Sequence, residues 1–78
     1  MRVNIINKGQ EGFTLCFKVK EIINGKEYTI SNCHRTESEL WRSHSIQCYV
    51  GNVELDSGII KKAHLRINHR NERVELEF

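Results

Sequence analysis

Thiols and imidazoles are the side chains of this 78-residue chain with the widest chemical repertoire, and it has three cysteines and four histidines. Two of each lie between Cys33 and Cys48, in the stretch CHRTESELWRSHSIQC. Cysteine and histidine are the ligands that zinc prefers, and together they can also act as nucleophile and base. The stretch therefore raises two chemical hypotheses, a metal site and a catalytic Cys–His pair.

The zinc hypothesis rests on Cys16, Cys33 and His44. Structural zinc sites usually contain closely spaced ligand pairs such as C-x₂₋₄-C, and the sequence has none. If Asn24-Gly25 forms a two-residue hairpin turn, Cys16 lies opposite Cys33, where two thiols can share a metal with His44, form a disulfide or stay reduced. We expect no cofactor, and a zinc-stapled small domain is an alternative.

Catalysis is not expected from this chain. The sequence contains no nucleophile elbow, phosphate-binding loop, HExxH motif or paired-carboxylate motif. A chain this short also has little material with which to enclose a concave substrate pocket. We therefore predict that the protein is not an enzyme and that it acts by binding.

Nucleic-acid binding is an alternative function that rests on the basic segment KKAHLRINHRNER. On a strand, Lys62, His64 and Arg66 form an outward row of the kind that tracks a phosphate backbone. A final hairpin turning at 69–72 would set Arg66 opposite Glu75 and His64 opposite Glu77, which neutralises part of the row. An OB-like barrel would use the cations Lys61, Lys62, Arg66, Arg70 and Arg73.

Protein binding is the main functional prediction. The alternation of the fourth strand indicates an exposed Tyr49, which with Asn52 and Arg70 forms a candidate contact surface, because Tyr and Arg are enriched at interfaces. Unprotected strand edges accept strands from other chains, and no proline blocks an edge here. We expect a protein partner, with a homodimer through a strand edge as a further expectation. The small size is typical of inhibitors and adaptors, including the accessory proteins with which phages act on host systems.

The elements that position these residues are mostly strands. FTLCFKVKEII alternates, with Phe13, Leu15, Phe17 and Val19 on one face, and MRVNIIN places Met1, Val3 and Ile5 on one face. The Asn24-Gly25 turn predicts that Val19 pairs with Ile30 and that Phe17 pairs with Asn32. Thr36 followed by Glu39 is a capping box, which predicts a short helix over 37–44 that docks through Leu40 and Trp41.

Three or four further strands are predicted after this helix, depending on whether Gly51-Asn52 turns the chain. Ile46, Cys48 and Val50 point inward, and Val53 and Leu55 join them if Gly51-Asn52 turns the chain; a bulge at Gly51 is the alternative. The last two strands are IIKKAHLRIN and RVELEF. Their predicted inward side chains are Ala63, Leu65, Ile67, Val74, Leu76 and Phe78. The fold class is mainly β (α+β): a small curled antiparallel sheet or partly closed barrel of five to seven strands with one short helix after the third strand. The strand order is similar to that of an OB-type barrel.

Composition sets the broad class. The chain is 38% hydrophobic and 28% charged with a net charge of +2, which is typical of a folded domain, and we expect one β-rich domain over residues 1–78. No apolar run is long enough to span a membrane, and the odd number of cysteines argues against a secreted disulfide framework. These features predict a cytoplasmic protein of the producing or host cell, with no membrane partner.

Overall fold

A computed structural model describes residues 1–36 and 45–78, and this part of the chain is an antiparallel barrel of six strands. Each strand pairs with the next, and the sixth pairs with the first. The strands are β1 (Arg2–Glu11), β2 (Thr14–Glu21), β3 (Glu27–Thr36), β4 (Ile46–Glu54), β5 (Ile60–Asn68) and β6 (Arg73–Glu77). The mainly β prediction is confirmed, while the helix predicted over 37–44, with Leu40 and Trp41, lies outside the described residues.

The order of the strands corrects the likeness to an OB-type barrel. An OB fold is a five-stranded Greek key, in which a long connection brings non-consecutive strands together. Here every pair of neighbours is consecutive apart from the closing pair, β1 and β6. The barrel is therefore a closed meander of antiparallel neighbours.

The core fills the barrel from all six strands. Apart from the bulges in β1 and β3, alternation points every second side chain inward, and the largest fully buried side chain is Phe17, whose ring lies 4.9 Å from that of Tyr49 between centroids. The buried set is Val3, Phe17, Val19, Ile30, Cys33, Tyr49, Val53, Ala63, Leu65, Ile67 and Leu76. Phe13, predicted to share the inward face of β2, instead lies in the β1–β2 turn and is fully exposed.

The β2–β3 turn is longer than the sequence suggests. The Glu21 N–H donates to the Lys26 carbonyl at 2.8 Å, so residues 22–25 form a four-residue loop. Within it, the Gly25 N–H donates to the Glu21 carbonyl at 3.0 Å, and Gly25 has a φ of 73°. The Lys26 N–H donates to Asn24 Oδ1 at 2.9 Å, so the asparagine stabilises the wider loop rather than a type I′ turn.

This wider loop shifts the register of the hairpin by two residues. Phe17 pairs with Ile30 and Val19 with Tyr28, so the predicted pairs Val19–Ile30 and Phe17–Asn32 are wrong. A shift of two residues leaves each side chain on its predicted face, because side chains alternate with a period of two. The apolar face was therefore assigned correctly although its partners were not.

A bulge in β3 determines the orientation of β4. Ser31 pairs with Asn52 and His34 with Val50, so two β3 residues oppose Gly51 alone, and Asn32 takes a φ of 53° there. A Cβ on Gly51 would lie 2.6 Å from Cys33 Sγ and 2.7 Å from the Ser31 carbonyl oxygen. Glycine is required because the bulged strand passes so close, and β4 continues through this position instead of turning.

The continuous β4 reverses the predicted faces of its first half. Tyr49, Gly51 and Val53 are buried, whereas Cys48 and Val50 are only half-buried. Tyr49 is 5% exposed, so the prediction of a solvent-exposed tyrosine is wrong. The predicted turn or bulge at Gly51 is wrong, because the extra residue lies in the partner strand, β3.

The β5–β6 hairpin has the predicted register. Arg66 pairs with Glu75, His64 with Glu77 and Leu65 with Leu76 across the turn at 69–72. Phe78 follows the strand and lies against Tyr28, with ring centroids 5.3 Å apart.

Candidate functional site: an unpaired edge of the first strand

The barrel closes over only a short part of β1. Among residues 1–36 and 45–78, β1 pairs with β6 at Arg2 and Val3, while it pairs with β2 from Val3 to Glu11. The mismatch in length is the cause, because β1 has ten residues and β6 has five, beginning at Arg73. The side of β1 that faces away from β2 therefore lacks a described partner over residues 4–11, which we call the open edge.

Backbone groups of the open edge point away from the sheet. The Lys8 N–H donates to Asn7 Oδ1 at 2.8 Å and so is not used in the ladder with β2. Successive residues of a strand direct their N–H and C=O groups to opposite sides, so Gln10 presents its own groups on the same side as Lys8. The edge thus offers main-chain donors and acceptors at alternate residues. One of these donors, the Lys8 N–H, is bonded only to the side chain of the neighbouring Asn7.

The side chains along the open edge are apolar or cationic. Ile5 and Ile6 are 36% and 49% exposed, and β1 bulges between Ile5 and Asn7. Lys8 pairs with Phe17 across the ladder, and its Nζ lies 5.9 Å from the centre of that buried ring. A cation is therefore held at the rim of the core, next to exposed isoleucines.

This arrangement is suited to accepting an extended segment as an additional strand. In strand addition, main-chain hydrogen bonds supply affinity and alternate side chains supply specificity. A bulge, an edge lysine and a side chain that occupies an edge amide are also devices that keep an edge from pairing indiscriminately. The open edge combines main-chain groups that can pair with devices that limit pairing.

A second exposed surface lies at the other end of the barrel. The β2–β3 and β4–β5 turns meet there, joined by Lys26 Nζ and Asp56 Oδ2 at 2.6 Å, and that bond raises the pKa of Lys26. Ile22 lies beside β1 through its N–H, which donates to the Arg2 carbonyl at 3.1 Å. We call this surface the apolar end, and its exposed side chains are Met1, Ile22, Ile23, Ile59, Ile60 and Phe78.

The residues predicted to bind protein do not form one surface. Tyr49 points into the core, whereas Asn52 is exposed on β4, where it pairs with Lys62. Arg70 is exposed in the β5–β6 turn, where its backbone N–H donates to Asn68 Oδ1 at 3.0 Å. Because Tyr49 is buried, the predicted surface of Tyr49, Asn52 and Arg70 does not form.

The basic residues lie on β5, in the following turn and at the start of β6, and only Lys62 and Arg66 belong to the outward row of β5. Lys61, Lys62, Arg66, Arg70 and Arg73 are all exposed. An open groove of about 670 Å³ runs over β4, β5 and β6, and carboxylates line it together with cations. Lys62 and Arg66 share it with Glu75 and Glu77, so the groove carries both signs of charge.

The thiols do not have the predicted arrangement. Leu15, not Cys16, pairs with Cys33, and Cys16 pairs with Gly9 on the other side of β2. Cys33 is buried, and burial raises the pKa of its thiol to about 11, so it is protonated at neutral pH and a poor nucleophile. His44 lies outside the described residues, and within those residues no cluster of three His, Cys, Asp or Glu side chains is placed to hold a metal.

Comparisons with known proteins add no further information about this site. No family model, curated protein or solved structure matches the chain. Within residues 1–36 and 45–78, no helix has the length and apolarity needed to cross a membrane.

The open edge was not identified from the sequence, which pointed to exposed edges only in general terms. The first alternating run, MRVNIIN, is about as long as the last, RVELEF, so nothing in the sequence indicates that β1 continues to Glu11 beyond the end of β6. The missing knowledge was that these two strands are neighbours, which depends on closure of the whole barrel.

Proposed function

We propose that this protein is a non-enzymatic binding module that takes an extended segment of another protein onto the open edge of β1. The observation that carries the proposal is the partial closure of the barrel: β6 covers Arg2 and Val3, and residues 4–11 are left without a described partner on that side. Acting as an inhibitor or adaptor in the cytoplasm of the producing or host cell is the role that such a module would serve.

The backbone supports this proposal more than any single side chain does. Lys8 and Gln10 direct their main-chain groups outward, and the only described contact there is the bond from the Lys8 N–H to Asn7 Oδ1. A bound strand would replace that local bond with regular ladder bonds on both residues. Each net hydrogen bond is worth about 0.5–1.5 kcal/mol, so a few of them give useful affinity.

Nucleic-acid binding by the basic segment is the weaker candidate. The row Lys62, His64 and Arg66 is exposed, but two of its members pair in register with Glu77 and Glu75. The chain as a whole has a net charge of only +2. Salt-dependent binding to phosphates requires several cations that are not neutralised by nearby carboxylates.

The experiment that tests the proposal is selection from a displayed library of extended segments, each about eight residues long, the span of a typical strand. Enriched segments are then titrated against the wild type, Gln10→Pro and Gln10→Ala. Both variants lose the bond from Gln10 Nε2 to the Gly12 carbonyl, but only proline removes the edge N–H. We expect Gln10→Ala to bind like the wild type and Gln10→Pro to lose most of its affinity.

Ile23→Ser at the apolar end is the matched control for binding elsewhere, since Ile23 is 90% exposed and its replacement leaves the core untouched. Segments that bind Gln10→Pro normally but fail on Ile23→Ser would move the site to the apolar end and overturn the proposal. A library that yields no binder would overturn it as well.

A further inference from the structure

We propose, building on the proposed function, that the segment bound at the open edge carries an acidic side chain opposite Lys8, and that it belongs to a different protein rather than to a second copy of this chain. The side chains on the face of β1 that looks into the barrel determine which partner chemistry fits this edge.

Ile5, Lys8 and Gln10 share this inward face. In the β1–β2 ladder they pair with Val19, Phe17 and Leu15, which are buried or half-buried. The bulge between Ile5 and Asn7 adds one residue, which is why the inward positions are 5, 8 and 10. A strand laid on the open edge would place its own inward side chains beside these three.

Lys8 is the unmatched charge in this row. Two ion pairs link described residues, Lys18 with Glu27 and Lys26 with Asp56, and neither includes Lys8. Its Nζ is instead held over the ring of Phe17 at 5.9 Å. A bound strand would remove water from this ammonium group, and burying an unpaired charge is costly. A carboxylate directly across the new pair offsets that cost.

A second copy of the chain does not supply that carboxylate. In an antiparallel pair of two β1 strands, inward residues meet inward residues, so Lys8 would face Ile5, Gln10 or the partner copy's own lysine. Glu11 is on the opposite face, because it follows the inward Gln10 and pairs with Thr14. Self-pairing therefore leaves the Lys8 side chains of both copies without a carboxylate. A segment with Asp or Glu at one inward position and an apolar residue at the next pairs with Lys8 and packs against Ile5.

The test compares the segments that the displayed library yields against the wild type and against Lys8→Glu. We expect acidic residues to be enriched at one inward position with the wild type and basic residues at the same position with Lys8→Glu. A synthetic acidic segment should bind Lys8→Glu about tenfold more weakly than wild type, since an attractive cross-strand pair becomes a repulsive one.

Lys62→Glu is the matched control, because it makes the same charge change on exposed β5 and should leave binding unchanged. Segments that are lost on Gln10→Pro but show no acidic preference, or that bind Lys8→Glu as well as wild type, would overturn this inference and leave strand addition standing. A wild-type dimer whose Lys8 and Gln10 amides are protected from exchange would overturn it too. A library without binders would instead contradict the proposed function.

Discussion

The start of β1, at Arg2 and Val3, and the rest of the strand, residues 4–11, have different surroundings. At the start, the preceding Met1 ammonium donates to the Leu76 carbonyl at 2.8 Å, the Leu76 N–H donates to the Met1 carbonyl at 2.9 Å, and Val3 is 1% exposed. In the rest of the strand, β1 continues along β2 with Ile5 and Ile6 exposed and no described strand on its other side. The comparison shows that the shorter strand, β6, sets how far the barrel closes.

The largest expected effect on stability comes from placing a carboxylate in the closed part of β1, compared with the same change at the open edge. Val3→Asp buries a carboxylate among core side chains and should lower the free energy of unfolding by about 3 kcal/mol or more. Ile5→Asp, on the same face but 36% exposed, should cost less, about 1–2 kcal/mol, because the covered part of one isoleucine is lost and the carboxylate stays in water. Urea denaturation followed by circular dichroism measures both, and equal losses would show that the open edge is covered in solution.

Replacing a glycine by alanine should change the free energy of unfolding in the closed part of the barrel but not at the open edge, with smaller effects than those of the charges. Gly51→Ala drives a Cβ to 2.6 Å from Cys33 Sγ in the closed region and should destabilise the protein by about 1–3 kcal/mol. Gly9→Ala adds a Cβ in the open region, where nothing lies within 4 Å, and should be neutral or slightly stabilising. The same denaturation experiment tests the pair, and a harmless Gly51→Ala would argue against the β3 bulge.

Amide exchange should reveal the alternation along the open edge. Gly9 directs its N–H to β2, whereas Lys8 and Gln10 direct theirs outward, so exchange should be slow at Gly9 and fast at its two neighbours. Val3, paired with both β2 and β6, should be among the slowest. Hydrogen exchange followed by NMR reads each amide separately, and uniform protection from Asn4 to Glu11 would contradict an open edge.

The smallest effect is expected from Asn7→Ala. This change frees the Lys8 N–H from Asn7 Oδ1, so a bound strand no longer competes with a local hydrogen bond. Affinity for a selected segment should rise by at most about 1 kcal/mol, the net value of one hydrogen bond. Calorimetric titration of wild type and Asn7→Ala measures the gain, and a weaker complex would mean that Asn7 itself contacts the partner.

Local patterns predicted the strands well, and the β5–β6 hairpin shows why. Its inward and outward residues alternate cleanly on both strands, so matching the apolar faces and the opposite charges leaves one good register, Leu65 with Leu76. The β2–β3 hairpin also alternates, but Asn24-Gly25 is compatible with either a two-residue or a four-residue loop. The choice depends on hydrogen bonds such as that from the Gly25 N–H to Glu21, which the sequence does not specify.

The candidate site was less predictable because it depends on non-local structure. The burial of Tyr49 follows from a bulge at Asn32 in the neighbouring strand, which no pattern within β4 itself indicates. The open edge follows from the pairing of the first strand with the last, which are separated by most of the chain. Side-chain alternation is a local property, but exposure of a strand edge is decided by the barrel as a whole.

The central claim is that residues 4–11 accept a strand, and the most direct measurement is amide exchange of the wild type with and without a selected segment bound. We predict that Lys8 and Gln10 become protected on binding while Gly9, already bonded to β2, changes little. Protection confined to Ile22, Ile23 and Ile60 at the apolar end, with Lys8 and Gln10 still exchanging freely, would contradict the account.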